Sequence, residues 1–271
     1  MENVKELNGL ELAGFIKNRQ AKQVRALRQA HHIQPRLAIV TDVENPVIET
    51  YMRLKQRYGA DILIETEICR TDDDNIERLI DELNDRDDIQ AIIIQLPTSN
   101  PLRVDDLLQR VRPEKDVDGL RRDSLFDAAT PIAINWLLAG YNINLAQKNI
   151  AIVGCGRLVG APLRRMWQNS GYKITTFGRG DDLTQLQDYE VVVSATGVPG
   201  LIKSSMIRQG AVVVDAGTAS EDGVIVGDVD DAVRQRDDII ITPKKGGVGP
   251  LTVAALFDNV IQACLKIVNK N

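Results

Sequence analysis

Two groups of residues in this 271-residue chain have the types and spacing to do chemistry. Tyr51 and Lys55 stand four positions apart in a stretch with helical spacing, so both project from one helix face toward one ligand. A lysine beside a tyrosine, kept partly neutral by burial or a hydrogen-bonded neighbour, has the makings of a proton-transfer group. The second group is Gly154-Cys155-Gly156-Arg157-Leu158-Val159-Gly160, which follows the apolar run at 150–153 and leads into a segment with helical spacing through Pro162, Leu163 and Met166. That order reads as strand, tight turn, helix. Glycines at 154, 156 and 160 let backbone pass close to a pyrophosphate held over a helix N-terminus, where unpaired N–H groups favour anions. The spacing is GxGxxxG rather than GxGxxG, so the motif gains its weight from context.

The context is a succession of β/α units. Apolar runs at 174–177, 191–195, 212–215 and 239–242 read as further strands of a dinucleotide-binding sheet, with loops at Ala195-Thr196-Gly197 and Ala216-Gly217-Thr218 at strand ends. The first half repeats the theme. An amphipathic helix over 5–30, broken near Gly9, precedes a strand at 37–40; Asn45-Pro46 opens a helix that Gly59 ends. A strand at 62–68, a helix at 75–83 and a strand at 91–97 complete βαβαβ. Ligands collect where the carboxyl ends of parallel strands open into loops, and Gln95 and Asp118 lie in that zone. A helix from Thr130 to Gly140 bridges to the glycine-loop unit, Gly246-Gly247-Val248-Gly249-Pro250 forms a turn, and a long helix over 251–268 closes the chain. The fold class is α/β with two domains: an N-terminal α/β substrate domain (1–140), a Rossmann-type dinucleotide-binding domain (141–250), and a C-terminal helix (251–271) packing back on the first.

Composition narrows the partners. With 33 basic against 38 acidic residues the net charge is −5, and no basic block is present to neutralise nucleic-acid phosphates. Cys69, Cys155 and Cys264 lack the spacing of a zinc site or a disulfide framework, which points to a reducing cytoplasm and no metal. No stretch reaches about 18 uninterrupted apolar residues, so no membrane span is expected. His31 and His32, near a helix end, are assigned no role.

Several stretches together resemble the bifunctional methylenetetrahydrofolate dehydrogenase/cyclohydrolase family, often called FolD. They are Tyr51-Met-Arg-Leu-Lys55, Gln95-Leu96-Pro97, Lys115-Asp-Val-Asp118-Gly119, Thr130-Pro131, Val159-Gly160-Ala161-Pro162, Gly227-Asp228-Val229 and Gly246-Gly247-Val248-Gly249-Pro250-Leu251-Thr252. The resemblance implies NADP-linked oxidation of 5,10-methylenetetrahydrofolate, hydrolysis of the methenyl product to 10-formyltetrahydrofolate, and a homodimer acting on tetrahydrofolate one-carbon derivatives. By the same resemblance Lys55, Tyr51, Gln95 and Asp118 are catalytic. Lys55 moves the proton, Gln95 orients it, Tyr51 stacks, and Asp118 takes the amino-pyrimidinone edge of the pterin, with Asp116 holding the loop. Leu96, Pro97, Lys245, Gly246, Gly247, Val248, Gly249, Pro250 and Thr252 complete the substrate side. Cofactor contacts fall on Gly154, Cys155, Gly156, Arg157, Leu158, Val159, Gly160, Arg179, Thr196, Gly197 and Thr218.

Four departures from the family pattern stand out. Where the family's phosphate loop reads Gly-Arg-Ser, this chain has Gly154-Cys155-Gly156, so the arginine associated with a 2′-phosphate is missing there. The stretch from Leu120 to Ala129 is shorter than its counterpart, Lys245 replaces a proline, and Ile48 replaces a serine. Arg179 after the second strand and Arg157 in the loop are expected to restore NADP selectivity, with NAD as the alternative and Asp181 its ribose ligand. Lys244 and Lys245 are expected to meet the anionic glutamate tail. The competing readings are a monofunctional dehydrogenase, a catalytically silent folate- or nucleotide-binding paralogue, and another Rossmann-type dehydrogenase such as a shikimate-type enzyme.

Overall fold

The structure, a computed structural model, describes residues 6–217, 219–221 and 224–269. The chain divides into two compact units, Gly14–Ala129 with the chain from Val253 onward, and the residues up to Ala13 with Thr130–Thr252.

Helix α1 (Gly9–Ala30) is unbroken and starts at the glycine expected to interrupt it. In the unit that holds Gly14–Ala129, β1 (Arg36–Thr41), β2 (Glu65–Arg70) and β3 (Ala91–Ile94) form a parallel sheet in the order β2-β1-β3. Helix α2 (Pro46–Asp61) begins where its sequence dictates: the Asn45 side chain accepts from Val47 N at 2.8 Å, and Pro46 fills the first helical position, which has no N–H to satisfy. Gly59 does not end α2. It lies buried inside it, where a Cβ would meet Thr66 Oγ1 at 2.7 Å and Ile64 O at 2.9 Å, so the missing side chain is what lets β2 return against the helix. Ile62 caps α2, Leu63 turns through a φ of 66°, and β2 therefore begins at Glu65 instead of Ile62. Helices α3 (Ile76–Asp85) and α4 (Val104–Arg110) follow β2 and β3, and bury Ile76, Ile80, Leu83, Leu107 and Leu108 in a core with Val40, Ile92 and Ile94.

The second unit begins with α5 (Ala129–Gly140) and continues through β4 (Ile150–Val153), α6 (Gly160–Asn169), β5 (Ile174–Phe177), β6 (Val191–Ser194), β7 (Val212–Asp215), the hairpin β8 (Ala219–Glu221) and β9 (Val224–Val226), α7 (Asp231–Arg234) and β10 (Ile240–Ile241). Its five-stranded parallel sheet runs β10-β7-β6-β4-β5, so the winding reverses beside β4. Ligands of such sheets bind at that reversal.

The expected division at residue 140 shifts. Trp167 Nε1 donates to Asn135 Oδ1 at 2.6 Å and Leu12 packs on Gly140, which places α5 with the dinucleotide-type sheet. Leu7 N donates to Ile241 O and Leu10 N to Gly246 O, both at 2.9 Å, so the first described residues join that unit too. The turn expected over 246–250 is shorter, because helix α8 (Val248–Val268) starts at Val248 and takes Pro250 into its first turn, where proline is tolerated. Helix α8 is long and apolar enough to cross a membrane, but Ala254, Phe257, Val260, Ile261 and Cys264 are buried in the protein core. Phe257 stacks on Tyr58 at 5.2 Å between ring centroids, and Gln20 Nε2 donates to Ala254 O at 2.8 Å.

Candidate active site

Lys55 is half-buried on α2, one turn after the half-buried Tyr51. Its Nζ donates to Gln95 Oε1 at 2.7 Å, and the Gln95 amide donates in turn to Leu96 O at 3.0 Å. Gln95 sits one residue past β3, where its N–H continues the ladder to Val40 O at 2.8 Å, and the Leu96–Pro97 peptide that follows is cis. Strand and helix therefore hold the amine and the carboxamide together from opposite directions.

Electrostatics complete the arrangement. Burial pushes the Lys55 ammonium below its ordinary range, with the nearby Asp118 carboxylate pulling it partly back. Burial lifts the Asp118 carboxyl to about 6, with Lys55 opposing and Asp116 adding to the rise. Both shifts favour uncharged forms, which is what a proton-exchanging amine near neutrality requires. Burial also raises the Tyr51 hydroxyl.

Three anchors hold Asp118. Lys115 Nζ donates to Leu83, Asn84 and Arg86 carbonyls at 3.2, 2.8 and 2.7 Å, capping the C-terminal end of α3. Asn259 on α8 donates to Val117 O at 2.8 Å and Asp127 O at 2.9 Å. Gly119, at φ 69°, leaves no room for a Cβ beside Ala128 N at 2.6 Å. Asp116, 3 % exposed, accepts from Arg121 N at 3.0 Å. The Arg121 guanidinium reaches Val111 O at 2.7 Å and Gln109 O, closing the short 120–129 stretch against the end of α4. Sequence reasoning gave Lys115, Asn259 and Arg121 no role. Lys115 carried a signal, a lysine directly before the buried Asp116, whereas Asn259 and Arg121 had none, because the groups they hold are backbone carbonyls outside their own motifs.

The glycine loop lies at the sheet reversal. Gly154, at φ 97°, would place a Cβ 2.5 Å from Ala195 O, and a Cβ on Gly160 would strike Gly154 O. Gly154 brings the loops after β4 and β6 into contact, and Gly160 lets the start of α6 close on the loop after β4. Gly156 has open space where its Cβ would be, and Cys155, Arg157 and Leu158 are exposed around it. Val159 stands at the N-cap of α6 without a side-chain bond; within the first turn Ala161 N donates to Gly156 O at 3.0 Å and Pro162 carries no N–H. Arg179 is exposed after β5, where Gly178 N donates to Asp181 Oδ2 at 2.7 Å. Asp181 is thus engaged by its own turn. Thr196 and Gly197 follow β6; Thr218 lies outside the described residues. Lys244 pairs with Asp231 at 3.0 Å, and Lys245 is exposed beside Gly246. Thr252 bonds its hydroxyl to Thr130 at 3.4 Å, and Gly247 and Val248 are buried while Gly249 is exposed. These residues and the Lys55 group belong to different units.

Comparison with known proteins places the two units. Residues 7–118 match the tetrahydrofolate dehydrogenase/cyclohydrolase catalytic domain, and residues 128–268 match the NAD(P)-binding domain of the same description. The chain belongs to that family. A bifunctional FolD protein from Hydrogenobaculum is 33% identical over 274 residues, covering 95% of this chain and 97% of that one. The FolD enzyme of Campylobacter jejuni superposes with a TM-score of 0.91 at 29% identity over 97% and 99% of the two chains. The Trypanosoma brucei enzyme, solved with NADP and an inhibitor, gives 0.90 at 26% identity over 99% of each. The chain is therefore a methylenetetrahydrofolate dehydrogenase and methenyltetrahydrofolate cyclohydrolase with the two-domain α/β fold of its relatives.

The opposed shifts of Lys55 and Asp118 carry a direct test. In Asp118→Asn the carboxylate's upward pull on Lys55 is gone, so the Lys55 Nζ titration followed by NMR moves to lower pH than in the wild type. An unchanged or higher titration contradicts the coupling.

Proposed function

We propose that Lys55 is the proton-transfer group of methenyl hydrolysis, and that Gln95, Tyr51 and Asp118 arrange it and the folate. The observation that carries this is the 2.7 Å bond from Lys55 Nζ to Gln95 Oε1, made by an amine whose burial favours its neutral form. The neutral amine takes a proton from water as its oxygen adds to the amidinium-like methenyl carbon. The resulting ammonium returns that proton to the ring nitrogen as the carbon–nitrogen bond breaks, and the proton left on the added hydroxyl passes to solvent as its carbonyl forms, leaving the 10-formyl product. Gln95 directs the Lys55 lone pair, and Asp118 accepts two hydrogen bonds from the amino-pyrimidinone edge of the pterin, a geometry its two oxygens suit. Tyr51 stacks on the substrate from the same helix face. Leu96 and Pro97 stand on the substrate side in the same unit as Lys55, and in the dinucleotide-binding unit the exposed Lys245 favours an anionic tail.

The dinucleotide-binding unit fits NADP. Close backbone approach at Gly154 and Gly160 and the uncapped start of α6 suit a pyrophosphate, and Arg179 and Arg157 supply guanidiniums for a 2′-phosphate in place of the arginine absent at Cys155. Asp181, bonded to Gly178 N, is drawn away from the ribose role that selects NAD. When bound, the cofactor supplies the hydride acceptor. The protein supplies alignment, with Thr196 and Gly197 and the loop through Gly217 facing ribose and nicotinamide. The enzyme acts as a cytoplasmic homodimer.

Lys55→Met lowers methenyl hydrolysis by about a hundredfold or more while leaving NADP affinity unchanged, and Lys55→Arg fails equally because a guanidinium stays protonated. Hydrolysis at the wild-type rate in either variant refutes the assignment.

For cofactor choice, Arg179→Ala and Arg157→Ala each lower the NADP-to-NAD ratio of kcat/KM by about tenfold, the loss of one charge-assisted phosphate contact. A wild-type preference for NAD, or a ratio unmoved by both substitutions, rejects the two-arginine reading.

A further inference from the structure

Two buried carboxylates in the dinucleotide-binding unit take no part in the chemistry above. Asp215 ends β7, and Asp228 stands in Gly227-Asp228-Val229, a motif of the family resemblance that no step has used. Asp228 is 0 % exposed. Its N–H donates to Asp215 Oδ1 at 3.0 Å, and its carbonyl accepts from Ile202 N at 3.0 Å. Asp215 also accepts from Val229 N and Gly217 N, each at 3.1 Å, and pairs with the Arg234 guanidinium, which donates to Thr242 O at 2.6 Å. Asp228 is thus clamped by its backbone, and its side chain reaches the neighbouring strand. There Oδ2 accepts from Ser194 Oγ at 2.7 Å and from Thr196 N at 2.6 Å. The other oxygen, Oδ1, has no hydrogen-bond partner and lies against Gly217, where any Cβ would collide with it.

A buried acceptor without a donor is costly, so a residue of this kind is explained by what its other atoms do. Core packing alone would be served better by a neutral side chain. An asparagine whose oxygen took the two bonds of Oδ2 would set its NH2 against Gly217 with no acceptor there. Turned the other way, it would oppose its NH2 to the Thr196 N–H. Only a carboxylate meets Ser194 and Thr196 without placing a donor at either end. What it joins are the loops after β6 and β7, adjacent parallel strands in the register Ser194↔Asp215.

We propose that Asp228 is a positioning residue for the dinucleotide: it holds the loop at 195–197 in one relation to the loop at 216–217 and so presets the surface on which ribose and nicotinamide lie, without touching the cofactor. This rests on the reading of those loops as cofactor-facing. A surface ordered before binding spares the ligand the entropy of ordering it, so loosening the clamp weakens dinucleotide binding. Methenyl hydrolysis needs no dinucleotide, and the side chains proposed to carry it, Lys55, Tyr51, Gln95 and Asp118, belong to the other unit, so its rate is insensitive to the clamp.

The test uses full-length Asp228→Asn, Ser194→Ala and Val229→Ala, with NADP binding measured by calorimetry, methenyl hydrolysis measured without cofactor, and thermal melting. Asp228→Asn weakens NADP binding by about tenfold or more, and Ser194→Ala, which keeps the Thr196 bond, by less. Val229→Ala, which thins the packing of the same segment without altering the carboxylate, lowers the melting temperature and holds NADP affinity within about twofold. All three hydrolyse at the wild-type rate. Wild-type NADP affinity in Asp228→Asn overturns the proposal, as does a loss of affinity that merely follows melting temperature across the three variants. A wild type that binds no dinucleotide overturns the reading of the loops themselves, and with it the proposal.

Discussion

The withdrawal of one lysine ammonium from water, at Lys55, is the constraint on which the candidate site depends. A charge taken out of water costs several kcal/mol unless it is paired or loses its proton. Lys55 sits between those outcomes: burial favours the amine, and Asp118 restrains it from losing its proton altogether. The balance is useful only if the carboxylate stays at its distance. This explains why so much surrounding structure serves Asp118, from Lys115 on the end of α3 to Asn259 reaching in from α8. Gln95 needs similar support and obtains it from the sheet, through its bond to Val40 O.

The dinucleotide-binding unit answers a different constraint. A pyrophosphate must approach backbone N–H groups closely, so side chains are removed where loops converge, at Gly154 and Gly160. That steric requirement is separable from charge. Where the family pattern has arginine and serine, this chain has Cys155 and Gly156, and neither position packs against the protein: Cys155 is exposed, and a Cβ on Gly156 would meet open space. Charge selectivity can therefore move to other residues while the cradle remains. Beneath it, Asp215 and Asp228 organise the strand ends from inside the core, with Arg234 as counter-ion.

The architecture was legible in the sequence where the signal was local. Period and punctuation placed every strand of the two main sheets within a few residues, and Asn45-Pro46 marked the start of α2 as its cap requires. Misreadings arose where a residue's role is tertiary. Gly59 looked like a helix stop, yet it is a packing glycine inside the helix, and Gly9 looked like a break, yet it opens α1 and lacks a side chain because a Cβ there would strike Gly247 O. The unit boundary moved from 140 to 129/130 for a related reason, since α5 is tied to α6 through Asn135 and Trp167, a bond with no sequence signature. In the site, the spacing of Tyr51 and Lys55 was visible, and motif resemblance supplied Gln95 and Asp118. The anchors Asn259 and Arg121 stayed hidden because they bind backbone carbonyls, which every residue presents alike, and Lys115, though its place in the motif was visible, hid its partners for the same reason.

The central claim is that Lys55 works as a neutral amine because it is buried. The pH dependence of kcat for methenyl hydrolysis, corrected for the uncatalysed reaction, addresses it most directly. A base that must be unprotonated gives a rate rising with pH through its own titration, so the rate is expected to show an acid limb below the ordinary lysine value of 10.5. Lys55→Met removes that limb. A limb at the ordinary lysine value, or one that persists in Lys55→Met, contradicts the account.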